Sequence, residues 1–414
     1  MMKKLGKWSG ERIFGALFIV FLFGFSVSNW YLYGGKVEKE IREEAEQVWR
    51  QEEDIGGAVA EIEETVNEEL LLRYPMVEAY GLLQMAMGKK EENGFDYVKD
   101  KRGFLHSGNF WSGFGDEQKE LAVRTRRFFD RLEASGIKTG FVLWPMKTAE
   151  PQDQYYGIPY NDFTKLSDSM AAWLRYYGIP LLDLRNLKEE TGMSQEEFFF
   201  KTDHHWTPPA AFEGYLRLLD WMEETYGEDF DPTGNLHNRG NYKWDIYEDV
   251  MLGSAGRDAG ILFSGGLEDY TAVYPREEGE YILKTGRLED YEIQEGSFQE
   301  ALLNLDLKPE KYSELYEQKA ARTYLGDISD QYVSIENCRT DSKRKILLLR
   351  DSFSQPVGAF LAQSFKQVDM LWIVDITEDE LEAFLEENQY DYILMALYPE
   401  NLKSDAFPFE MEEP

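Results

Sequence analysis

Cysteine is almost missing from this chain: of 414 residues, only Cys338 carries a thiol. An intramolecular disulfide is therefore excluded, and a cysteine-built zinc site has no partners in sequence. Histidine is scarce as well, with four in the chain, so two that fall side by side are informative. Positive charge is the third shortage. Forty-four Lys and Arg stand against seventy-eight Asp and Glu, a formal net charge of −34. Such a chain is repelled by nucleic acid and by anionic phospholipid surfaces. The charge says nothing positive about a substrate.

Two of the four histidines occur in Lys201-Thr202-Asp203-His204-His205-Trp206-Thr207-Pro208-Pro209. If this stretch is extended, Asp203 and His205 point to one side and His204 and Trp206 to the other. A carboxylate two residues before an imidazole can accept from Nδ1–H, fix the tautomer and leave Nε2 as a base. Thr207 and Pro208 read as the cap and first residue of a helix running through Ala210 to Tyr226, with Gly227 as its stop. Taken alone, the cluster reads equally as surface histidines near a helix cap. Adjacent histidines diverge, which argues against a metal site.

A base needs a nucleophile. The apolar run Ile346 to Leu349 suits a buried parallel strand, and Asp351-Ser352-Phe353-Ser354-Gln355-Pro356 follows it. Ser352 then lies in the turn between a strand and a helix N-terminus, where backbone N–H groups can stabilise an oxyanion. By itself, Ser352 or Ser354 reads as a helix cap.

Together, Asp203-His204-His205-Trp206 and Arg350-Asp351-Ser352-Phe353 resemble the DHHW protein family, which is similar to the SGNH-hydrolase-like O-acetyltransferases of alginate and other exopolysaccharides. The resemblance implies a three-layer α/β/α fold with a mainly parallel sheet and a triad in the chain order Asp, His, Ser. The family's D-x-H-W pattern falls on Asp203, His205 and Trp206, and its D-S-F pattern places the nucleophile on Ser352. Phe141 to Lys147 resembles the family's strand ending in P-x-K. Ordinary SGNH esterases carry their serine near the N-terminus, so their oxyanion donors do not transfer by order. Lys147, Trp206 and Asp351 are candidates for substrate or oxyanion contacts, and Gly253-Ser254 is a further source of an oxyanion N–H or an ordinary turn. No cofactor and no metal is expected.

The chain divides on paper into a basic tail (1–12, with Lys3, Lys4 and Lys7), an apolar signal anchor (13–33), an acidic helical spacer (34–94), the SGNH-like domain (95–400) and a tail (401–414). The anchor is long enough to cross a bilayer, has Trp30, Tyr31 and Tyr33 as interfacial aromatics and lacks a clear cleavage site. It predicts an N-terminus in the cytoplasm and the domain outside. Helices are expected over 58–87, interrupted at Pro75, and over 118–134, from an Asn161 cap to Tyr177, over 356–365 and over 378–387. Strands are expected at 140–144, 179–184, 346–349, 370–374 and 392–397. Residues 228–342 read as a loop-rich insertion, with short β-like segments over Tyr270 to Leu283. The lone His106 reads as a packing or surface histidine.

These features predict a membrane-anchored O-acyltransferase, with Ser352 as nucleophile, His205 as general base and Asp203 orienting it. The resemblance further implies a membrane O-acyltransferase as donor and a polysaccharide as acceptor. An extracytoplasmic carbohydrate esterase with the same triad, and a non-catalytic envelope glycan-binding or scaffold protein, remain as alternatives.

Overall fold

The computed structural model of the chain describes residues 10–50, 55–108, 117–403 and 406–409. Lys3, Lys4 and Lys7 lie outside the described residues. The chain separates into two compact units, Met1–Tyr80 and Gly81–Pro414. In the first unit the helix Gly10–Arg50 runs unbroken for 41 residues, so the apolar run and the charged stretch after it share one helix. Its segment Ile13–Glu46 is long and apolar enough to cross a membrane, as an anchor or a signal sequence would be. The next expected helix is two, Ile55–Glu68 and Arg73–Ala86. Pro75 does not cause the break. It sits in the first turn of the second helix, where a missing N–H costs nothing, and the chain turns before it at Leu72, with φ of 60°.

The second unit is built on an eight-stranded sheet. A small antiparallel sheet comes first: β1 (Glu91–Glu92), β2 (Tyr97–Lys99) and β3 (Leu105–Ser107). Then follow β4 (Lys138–Leu143) and β5 (Leu181–Asp183), the antiparallel pair β6 (Tyr242–Met251) and β7 (Glu268–Pro275), and β8 (Tyr281–Gly286), β9 (Tyr291–Gly296) and β10 (Tyr332–Asn337). The last three are β11 (Lys345–Arg350), β12 (Gln367–Trp372) and β13 (Tyr392–Leu397). The large sheet has the order β5-β4-β13-β11-β12-β10-β8-β9. Its first five strands pair in parallel, whereas β10, β8 and β9 extend it antiparallel.

The sheet is therefore mixed, and the expectation of a loop-rich insertion over 228–342 needs correction. That region contributes three strands to the main sheet and the separate β6–β7 pair. Two of its strands escape a periodicity reading because they bury little: every residue of β9 before Gly296 is exposed, and β8 buries only Tyr281 and Leu283. β11, by contrast, is buried on both faces. Ile346 and Leu348 join the core that contains Ala211 and Tyr215 of the helix Pro208–Tyr226. Leu347 and Leu349 join the core that contains Phe128 of the helix Glu117–Ala134 and Met170 of the helix Thr164–Tyr176. Alternate residues of one strand thus feed two cores, which is why its sequence is continuously apolar.

The helix Pro208–Tyr226 has the expected ends. Thr207 Oγ1 accepts from the Ala210 N–H, and Gly227 takes the left-handed conformation, with φ of 71°. Asn161 is not a cap: the next helix begins at Thr164, whose N–H donates to Asp162. The helix after Ser352 is shorter than expected, a 3-10 turn at Ser352–Ser354 leading into Gln355–Leu361.

β4 lies so close to the helix Pro208–Tyr226 that a methyl group on Gly140 would fall 2.5 Å from Trp221 and 2.8 Å from the Tyr226 hydroxyl. Gly140→Ala must displace one of these rings and is expected to lower unfolding free energy by about 1–3 kcal/mol, read from urea unfolding.

Candidate active site

Ser352 follows β11, which lies between β13 and β12 among the five parallel strands, with only Asp351 between. This is the carboxyl end of the sheet, where functional groups gather in such folds. The turn is pinned from both sides. Trp206 Nε1–H donates to the Phe353 carbonyl and Trp144 Nε1–H to Ser354 Oγ, each at 3.1 Å. The two indoles pack against each other with centroids 5.2 Å apart. Asp351 closes the turn by accepting from Phe353 N–H, Tyr398 N–H and Asn401 Nδ2–H.

The 201–206 stretch meets this turn. His205 Nε2 lies 2.6 Å from Ser352 Oγ, and His205 Nδ1 lies 2.6 Å from Asp203 Oδ1. The carboxylate assigns the ring proton to Nδ1, so Nε2 is the acceptor of the serine hydroxyl proton. The three residues separated in sequence thus form one hydrogen-bonded line. Burial would raise the Asp203 carboxyl, but the charge of protonated His205 and its hydrogen bonds outweigh burial and hold it well below the ordinary carboxylate range.

The loop carrying Asp203 has no ladder of its own, so its polar groups are satisfied from outside. Lys147 Nζ donates to the carbonyls of Asp203 at 2.6 Å and Lys201 at 3.1 Å. Glu268 accepts from the N–H groups of Lys201 and Thr202 and from the Thr202 hydroxyl. Asp203 Oδ2 accepts from Ser254 N–H at 2.9 Å, and Gly253 N–H donates to Thr202 Oγ1. Gly253 must be glycine because a Cβ there would stand 2.3 Å from that of Asp203.

The other candidates are engaged within the protein. Lys147 is 2% exposed and bonded to two carbonyls, so it holds the loop. Burial pushes its pKa down to about 8. Trp206 directs its ring N–H to Phe353, and Asp351 is a buried acceptor. Gly253 and Ser254 spend their N–H groups on the Asp203 loop. Glu268, Tyr398 and Asn401 had no signal in the sequence; Glu268 is one acid among many.

His106 is buried against Asp100, at 3.1 Å, and edge-on to Tyr160, at 5.6 Å between centroids. The stretch 201–205 is bent and not extended, so the two histidines do not diverge as expected: the His204 ring lies beside that of His205, with centroids 3.9 Å apart, and its side chain is 44% exposed. Ligand atoms of Asp203, His204 and His205 all lie within 4.8 Å of one another, but Asp203 Oδ1 is already shared between the ring and the N–H of His205.

Because the Asp203 pKa is lower in the fold than in the unfolded chain, its stabilisation is fully present above about pH 4 and is lost as pH falls further. Asp203→Asn is therefore expected to flatten the acid limb of a stability-against-pH curve below pH 4. Glu268→Ala, which strips three hydrogen bonds from the loop, is expected to cost about 1–3 kcal/mol in urea unfolding at neutral pH.

Residues 115–238 match the family model ALGX, the SGNH hydrolase-like domain of acetyltransferase AlgX. No curated protein matches the chain. Among solved structures, Bacillus cereus PatB1 with a sulfonyl adduct superposes with a TM-score of 0.59 at 18% identity, covering 76% of this chain and 98% of its own. A DHHW family protein from Eubacterium siraeum superposes with a TM-score of 0.51 at 14% identity, covering 75% of this chain and 94% of its own. The chain thus has an SGNH-hydrolase-like α/β fold and is similar to the AlgX acetyltransferase domain and to DHHW family proteins.

Proposed function

We propose that the chain is an O-acyltransferase, with acetyl as the group transferred, that modifies a polysaccharide through a covalent intermediate on Ser352. The observation that carries this reading is the unbroken line Asp203, His205, Ser352 with both contacts at 2.6 Å. The match of residues 115–238 to an acetyltransferase domain supports it.

In the first half-reaction, Ser352 Oγ attacks the acyl carbon of a donor ester while its proton passes to His205 Nε2. Asp203, ionised and facing Nδ1, stabilises the imidazolium that forms. The donor C–O bond breaks, and the leaving oxygen takes the proton from His205. In the second half, an acceptor hydroxyl gives its proton to His205, its oxygen attacks the acyl carbon, and Ser352 Oγ leaves and recovers the proton. Water in place of the acceptor gives hydrolysis. A membrane O-acyltransferase as donor and a glycan as acceptor belong to the same proposal. So do anchoring through residues 13–33, with the N-terminus in the cytoplasm, and a catalytic domain over 95–400 outside.

The full chain in detergent, given an activated acetyl ester, is expected to gain one acetyl group on Ser352 by mass spectrometry. Ser352→Ala is expected to lose turnover by about 10³-fold or more, and Asp203→Asn by a comparable factor. Undiminished turnover in Ser352→Ala rejects the serine mechanism.

A further inference from the structure

Beside Ser352 lies a cavity of about 60 Å³ bordered by all three members of the hydrogen-bonded line. The rest of its wall is largely apolar, with Met251, Tyr270, Ala320, Ala321, Tyr324 and Ile328 coming from the region between the two motifs. We propose that this cavity is the acyl subsite and that Met251, Ala320, Ala321 and Tyr324 set an upper limit on acyl chain length. The inference rests on the serine reading above and names the part of the molecule that chooses the acyl group.

Size and chemistry point the same way. One water-sized group needs about 10–15 Å³ of such space, so the cavity admits an acyl group of about two to four carbons and no hexose ring. A sugar hydroxyl placed against this wall would lose hydrogen bonds to water without replacement, whereas a methyl or short alkyl chain gains by leaving water. The acceptor therefore has to approach from outside the cavity.

The wall is also held rigid. The Tyr324 hydroxyl donates to the Val273 carbonyl at 2.7 Å and accepts from the Val273 N–H at 2.9 Å, so the ring cannot swing aside without breaking both. Tyr270 stacks on Phe200, with centroids 5.8 Å apart and planes within 8°. Gln355 Nε2–H donates to the carbonyls of Leu325 and Asp327, tying the segment after Tyr324 to the serine turn. A longer chain meets a fixed surface, and one excess methylene against such a surface changes specificity by about tenfold or more.

The test measures kcat/KM of the full chain in detergent for 4-nitrophenyl acetate, butanoate and hexanoate. The wild-type protein is expected to prefer acetate and butanoate over hexanoate by about tenfold or more. Met251→Ala, which lengthens the cavity, is expected to raise the hexanoate-to-acetate ratio by about tenfold, and Ala321→Leu, which fills it, to lower the butanoate-to-acetate ratio by a similar factor. Ala321 is partly exposed, so its variant carries the test even if truncation of buried Met251 prevents folding. Ratios that stay at the wild-type value while Ser352→Ala abolishes turnover overturn this inference alone. Turnover that survives in Ser352→Ala overturns the serine reading and this inference together.

Discussion

The site depends on a grip by two opposite charges on one irregular loop. Lys147 takes carbonyl oxygens of residues 201 and 203, and Glu268 takes N–H groups of residues 201 and 202. Leu105 N–H and Gly256 N–H satisfy the remaining lone pairs at Lys201 and Thr202. A loop buried without these partners would carry orphan donors and acceptors at about 1–3 kcal/mol each. The grip therefore does for 201–205 what a ladder does for a strand. It fixes the backbone well enough for Asp203 to aim one side chain at another.

Two buried carboxyls near His205 are driven in opposite directions by their surroundings. Asp203 faces a protonatable ring, and its pKa falls. Burial dominates at Asp351 despite its three donors, and its pKa rises. Paired acids pushed apart in this way take different roles. The first supports charge on the imidazole; the second braces the turn that carries Ser352.

The parts legible in the sequence were those with strong local signals. β11 is apolar on both faces, the helix Pro208–Tyr226 has Thr207 and Gly227 at its ends, and Asp203 and His205 stand close enough in sequence to pair, although a bend and not the alternation of an extended strand brings them together. What was hidden is long-range. Glu268 lies 67 residues from Lys201 and Ser254 lies 51 from Asp203, and neither offers a periodicity or a motif to read. The edge strand β9 was hidden for another reason: its residues before Gly296 are all exposed, so it has no alternation to read. Lys147 stood out by its position after β4, but only the buried carbonyls reveal what its charge serves.

The Asp351 contacts have a temporal side. Tyr398 N–H and Asn401 Nδ2–H bind the carboxylate 47 and 50 residues behind them, and the Tyr398 ring stacks on Phe353 at 4.4 Å. These contacts close across β13, which itself must insert between β4 and β11 before the parallel sheet is continuous. Pairings of such separation form late, because loop closure is costly before they reward it. A chain still emerging from the ribosome, or a fragment ending short of Asn401, holds every member of the Asp203–His205–Ser352 line yet lacks the brace behind the serine. Synthesis as far as Asn401, and not synthesis of the serine, is what sets the turn in place.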